Sequence, residues 1–217
     1  MAKLTGPLLS FGAKGSIGKT LVASKWRGVP YARQYVIPSN PQSTAQMVTR
    51  RTFALLREMW KLAPSALLDT WNAFAQGRPF TGMNKEVGEN VRVLNGAIDM
   101  TDYIASPGSG GGLAPTSFAA VTGSVAGSID VTFGVPATPS GWTLTKAVAI
   151  AFKNQAPDGI FEAPIVSGED AAAPYAFTLS GLPAGEECVC CGWLVWTKPD
   201  GKLAYSVSLN DNAIADA

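Results

Sequence analysis

"SIDVTFGV", residues 128–135, sets Ile129, Val131, Phe133 and Val135 against Asp130 and Thr132. A period of two puts the apolar side chains on one face of a strand and the polar pair on the other, so the stretch predicts a half-buried β-strand. Further strand-like runs follow: "TLTKAVAIAFK" (143–153), "YAFTLSGL" (175–182), "ECVCCGWLVWT" (187–197) and "KLAYSVSL" (202–209). Between the last two, Pro199-Asp200-Gly201 reads as a turn, because proline presets the first bend and glycine accepts a left-handed position. Short strands separated by turn signals over residues 116–217 predict a β-sandwich.

Working back from there, "ASPGSGGGLAP" (105–115) predicts a flexible linker and a domain boundary. Before it the apolar period changes to that of helices. Ser43, followed three residues later by Gln46, predicts a capping box. Ala45, Val48, Thr52, Leu55, Met59 and Ala63 then share one face up to Pro64. A second helix is expected over Ser65–Ala75, buried through Leu67, Leu68, Trp71 and Phe74 and stopped at Gly77. A third is expected from about Asn84, with Val87, Val91 and Leu94 on one face and Gly88 weakening it. Trp60 and Trp71 are expected to form the ordinary core of this helical hairpin, a reading compatible with docking if a partner completes that core.

Residues 1–42 are interrupted by Gly6, Pro7, Gly12, Gly15, Gly18, Gly28, Pro30, Pro38 and Pro41, which predicts an arm whose short strands need a partner's edge. The expected fold is therefore α+β in two parts. An extended basic N-terminal arm (1–42) leads into a short helical module (43–104), and beyond the glycine-rich linker (105–115) stands an all-β immunoglobulin-like sandwich (116–217).

Composition narrows the function. Apolar residues make up 47% of 217, enough for a core, and no apolar run has the length of a membrane span or a secretory signal, so synthesis in the cytoplasm is expected. The chain has no histidine, which removes the commonest general base and metal ligand. Its three cysteines crowd into 188–191 and predict buried free thiols rather than a metal site, which would spread its ligand pairs. The carboxylates Asp158, Glu162, Glu169 and Asp170 lie in a stretch that reads as solvated loops around a short strand. No enzymatic activity and no cofactor are expected.

"AKGSIGKT" (13–20) fits a relaxed phosphate-loop pattern, but no buried strand leads into it, and Gly28 and Pro30 forbid a long helix after it. It is expected to be a glycine-permitted bend. Charge is lopsided around it. The first 57 residues hold nine basic residues and no acidic one, within a net charge of +1. Such asymmetry predicts an acidic partner, either protein or nucleic acid.

Two resemblances add to this reading. Leu179-Ser180-Gly181-Leu182-Pro183-Ala184-Gly185 resembles the stretch that carries the chain between sheets in fibronectin type III and immunoglobulin-like domains, with Cys188 where an aromatic is common. Pro38, Asn40, Pro41, Gln46, Arg50, Phe53, Trp60, Trp71, Asn72 and Ala75 resemble a module of uncharacterised virion proteins of tailed bacteriophages, with Ser43 in place of the usual threonine. "GSIGKTLVASKWRGVPYARQYV" (15–36) is similar to the segment that precedes that module. The second resemblance implies a structural component of a virion, docking onto neighbouring virion subunits and displaying its sandwich in a capsid-decoration, neck or tail position. Partners are expected to be capsid or tail neighbours or further copies of the chain, with no membrane. The partner-binding candidates are Lys19, Lys25, Trp26, Arg27, Tyr31, Arg33 and Tyr35. Their interleaved cations and rings also fit the alternative, a nucleic-acid-binding arm.

Overall fold

A computed structural model of the chain describes residues 3–4, 13–26, 29–37, 39–161 and 164–217. The chain divides into two compact units, Met1–Gln42 and Ser43–Ala217.

The first unit is a sheet. Strands β1 (Lys3–Leu4), β2 (Ala13–Ile17), β3 (Leu21–Trp26) and β4 (Val29–Gln34) pair in chain order, each antiparallel to the next. The expected extended arm is thus corrected: its strands supply one another's edges. Glycine, taken as an interruption, instead permits the reversal between β2 and β3, where Gly18 (φ 56°) and Lys19 (φ 55°) both take left-handed conformations. Thr20 N donates to Ile17 O at 3.0 Å and closes the turn.

The second unit carries three helices, α1 (Thr44–Leu62), α2 (Ser65–Ala75) and α3 (Gly82–Leu94). The capping box does not form. Ser43 caps α1 through its backbone carbonyl, which accepts from Met47 N at 3.0 Å, while its side chain makes no capping bond. Helix α3 starts two residues ahead of its expected position because the Thr81 hydroxyl accepts from Asn84 N at 3.2 Å. Among the described residues no helix is long and apolar enough to cross a membrane.

Two sheets follow. Strands β6 (Ser117–Thr122), β7 (Ser128–Gly134) and β10 (Ala176–Ser180) form one, with β7 central. The other has the order β5 (Pro107–Ser109), β12 (Leu203–Val207), β11 (Glu187–Thr197), β8 (Thr143–Lys153) and β9 (Val166–Asp170). Strand β13 (Leu209–Ile214) continues β12 along the same edge of β11, past a break at Ser208. The chain crosses between the sheets in the stretch 179–185, where Leu179 and Leu182 are buried and Gly181 and Gly185 take positive φ. This is an immunoglobulin-like sandwich, and the molecule is α+β.

Strand β11 explains how the helices attach. From Cys188 to Trp196 every residue is buried, so the strand is covered on both faces. Cys188, Cys190, Leu194 and Trp196 point between the sheets, toward Ile129, Val131 and Phe133. Val189, Cys191, Trp193 and Val195 point the other way, into one core with Leu55, Leu56, Met59, Trp71, Val87 and Leu94 of the helices. Helices and sandwich are therefore layers of a single unit, not separate domains joined by a tether, and the core of the helices is completed by the chain's own sheet. The expected linker is corrected with it. Pro107 and Ser109 pair with Val207 and Tyr205, Ala105 and Ser106 are buried, and Trp196 Nε1 donates to Leu113 O at 2.9 Å. Its glycines are needed for close packing rather than slack: a Cβ on Gly112 would lie 2.5 Å from the Tyr205 carbonyl carbon.

Candidate interaction surface

The first unit has strands but, among its described residues, no core. Of its residues whose exposure is described, none is buried. Leu21, Tyr31, Val36 and Ile37 stand among the exposed large hydrophobics, Ile37 at 77%. Register assigns the faces. Ser16 opposes Val22, which opposes Arg33, and Ser24 opposes Tyr31, so these five share one face; Ile17, Leu21, Ala23, Ala32 and Gln34 share the other. A single sheet layer with apolar residues on a largely exposed face requires a second layer to bury them.

Lys19 sits exposed at the tip of the β2–β3 hairpin. Tyr31 and Arg33 are exposed on one face of β4, and Tyr35, half-buried, donates its backbone N–H to Thr20 O at 2.8 Å beside the hairpin tip. Lys25 and Trp26 end β3, opposite Pro30 and Val29 in register. Arg27 lies outside the described residues. Thus Tyr31 and Arg33 are brought onto one face, with Tyr35 and Lys19 toward the hairpin end. The phosphate-loop pattern spans this hairpin: the Thr20 hydroxyl donates to Ile17 O at 2.9 Å, and a strand, not a helix, follows at Leu21. Among the described residues the loop therefore lacks the following helix whose N-terminus holds the phosphate in a phosphate loop.

On the second unit, Gln46, Arg50 and Phe53 line an outward face of α1, with Phe53 51% exposed, while Leu55, Leu56 and Met59 turn to the core. Trp60 is half-buried and Trp71 fully buried. Of the described residues behind the virion-protein resemblance, Asn40, Pro41, Gln46, Arg50, Phe53 and Asn72 are exposed, whereas Trp71 and Ala75 are buried.

A groove of about 470 Å³ lies between α2, α3 and the β12–β13 break, lined by residues including Trp71, Phe74, Tyr103 and Asn210. Behind it is a polar network that sequence reading missed. Glu86, 1% exposed, accepts from Tyr103 Oη at 2.9 Å and from Asn90 Nδ2 at 3.1 Å; Asn90 Oδ1 in turn accepts from Ile104 N at 2.7 Å. Burial pushes the Glu86 carboxyl up to about 8, against the pull of the bonds from Tyr103 and Asn90. The signal was present in the sequence. Glu86 and Asn90 fall on the apolar side of α3 with Val87 and Leu94, where solvated side chains do not belong.

The chemistry available is limited. Burial raises all three thiols, Cys188 to about 11, Cys190 to about 12 and Cys191 well above its ordinary value, so they stay protonated at neutral pH and make poor nucleophiles. Among the described residues, no group of three acidic or cysteine side chains could hold a metal ion.

No family model matches the chain, and no curated protein matches it. Solved structures do. The FN5 domain of Drosophila Lar is 14% identical, over 46% of this chain and 94% of that one, with a TM-score of 0.31. A fourth FNIII domain of a human protein is 19% identical, over 48% and 79%, at 0.32. The fibronectin type III domain of human fibronectin type III domain containing protein 3 is 15% identical, over 50% and 94%, at 0.29. All three are fibronectin type III sandwiches matching about half of the chain.

Proposed function

We propose that the chain is a non-enzymatic structural component of a bacteriophage virion, made in the host cytoplasm, that docks onto neighbouring virion subunits and displays its β-sandwich as a capsid-decoration, neck or tail element. The observation that carries this reading is the first unit's sheet, which has four paired strands and no buried residue among those described. Such a sheet gains its second layer by docking, and burying its apolar face then stabilises the contact by roughly 25 cal/mol per Å². The outward face of α1, with Phe53 about one turn beyond Arg50 and two beyond Gln46, adds a second contact surface. The helices leave the sandwich's far sheet uncovered by layering only one side, which suits display.

The alternative is nucleic-acid binding. Tyr31 and Arg33, exposed on one face of β4, offer a ring and a cation at the spacing of successive outward positions on a strand.

Deleting residues 1–42 tests the proposal. The shortened chain is expected to keep the melting behaviour of the second unit and to be lost from purified particles. Normal incorporation of the shortened chain would overturn docking through the sheet.

A further inference from the structure

We infer that the layer missing from the N-terminal sheet is supplied by a second copy of this chain, through an acidic, apolar-centred corner of its sandwich. The inference rests on the docking role proposed above and names the partner.

Charge supports a copy of the same chain. Residues 1–42 carry six basic residues and no acidic one, whereas residues 43–217 carry eleven basic and sixteen acidic. The two parts are thus at +6 and −5, opposite and nearly equal, in a chain whose net charge is +1. A multi-copy array of strongly charged subunits repels itself, but one in which each basic unit meets a neighbour's acidic unit does not accumulate charge. Contact between two different surfaces of identical chains is a head-to-tail interface, which propagates into rings or arrays.

The receiving corner lies where β13 ends beside the start of β11. Glu187 is opposite Ile214 in register, Ala215 N donates to Glu186 O at 3.0 Å, and Gly127 N donates to Asp216 O at 2.8 Å. Ile214, 56% exposed, is thus the cross-strand neighbour of Glu187, and Val125, 64% exposed, lies in the β6–β7 turn; Glu186 is paired with Lys153 Nζ at 2.8 Å, so Glu187 and Asp216 carry the corner's net negative charge. Exposed Ile214 beside Glu187 complements Ile17 and Leu21 beside the hairpin-tip cation Lys19.

The test is sedimentation velocity on the full-length chain across a concentration series, at low salt and at high salt. Concentration-dependent oligomers that dissociate as salt rises are expected. Lys19→Glu, at the hairpin tip beside Ile17 and Leu21, and Glu187→Lys should each weaken association by about tenfold or more, and the chain carrying both should recover it, since the exchanged charges attract again. A wild type that stays monomeric at every concentration would overturn the inference, as would a double variant no better than the single ones, provided circular dichroism shows all variants folded. The docking role is read separately, by incorporation into particles. A monomeric chain that still enters particles leaves that role standing and sinks self-docking; a self-associating chain that never enters them does the reverse.

Discussion

Tyr103 donates its hydroxyl proton to Glu86 Oε1 across 2.9 Å, inside the seam that joins α3 to the segment leading into β5. Both side chains are 1% exposed, and Asn90 ties the same carboxyl oxygen to the backbone of Ile104. The pair therefore fastens the helical layer to the segment that enters the sheet.

Stability should consequently fall with rising pH. The folded carboxyl titrates near 8 against an ordinary 4.5, so its contribution is fully present below about 4.5 and is lost as pH rises through about 8. The total change is of the order of a few kcal/mol. Glu86→Gln should flatten this dependence in urea melts at pH 5, 7 and 9. Glu86→Ala strands the Tyr103 hydroxyl, while the Asn90 amide keeps the Ile104 carbonyl, and should cost about 1–3 kcal/mol even at pH 5. Equal pH dependence in wild type and Glu86→Gln would remove the carboxyl from the account.

The shared core predicts one cooperative transition for the second unit. Trp193, fully buried, stands on the helix-facing side of β11 with Trp71 in the same cluster. Trp193→Ala should destabilise by about 3–5 kcal/mol, lowering the helical and the strand signals of circular dichroism together. Two separated transitions, only one of them shifted, would show the helices and sandwich to be independent.

The inter-sheet face is as tightly set at Gly192, where an added Cβ would meet the rings of Phe118 and Phe133, the latter at 2.7 Å. Gly192→Ala should cost about 1–3 kcal/mol in denaturant melts, with the rings forced aside. No loss of stability would mean that the sheets separate more easily than their packing implies.

How far the sequence could be read follows from which interactions are local. Alternation in 128–135 and the runs 143–153 and 187–197 located three strands, two of them to the residue, because burial on the sandwich is written into side-chain type. The strand at Ser117–Thr122 escaped because, although apolar at four of six positions, it lacks alternation and buries only Ala120, and the one at Val166–Asp170 was legible only as an unplaced short strand because Val166 is its sole apolar side chain. The error at 105–115 had a different source. Glycine density reads as slack, yet Gly110 and Gly112 pack against Ala204 and Tyr205, some ninety residues away, and nothing local announces that contact. Similarly, the unbroken apolar run of β11 recorded burial on both faces but not what lay on the second face. At the candidate interaction surface, Tyr31, Arg33 and Tyr35 were singled out by residue type alone, whereas the sheet that arrays them depends on a left-handed turn at Lys19, a residue that rarely takes one.

The remaining prediction separates protein docking from nucleic-acid binding at that sheet. A nucleic-acid surface holds phosphates by cations and stacks bases on rings, so its affinity falls steeply as salt displaces it, each neutralised phosphate contributing about one unit to the slope of log affinity against log salt. A protein-docking sheet depends instead on its apolar face, Ile17, Leu21 and Ala23, as well as its charge. Random-sequence single- and double-stranded DNA titrated into the full-length chain should accordingly show only weak binding, with Tyr31→Ala leaving it unchanged. Leu21→Ser, which leaves every cation in place, should reduce incorporation into particles several-fold, because the contact loses apolar area. Tight DNA binding whose salt slope drops by about one in Arg33→Ala, with Tyr31→Ala weakening it by a further 1–3 kcal/mol, would instead assign the sheet to nucleic acid.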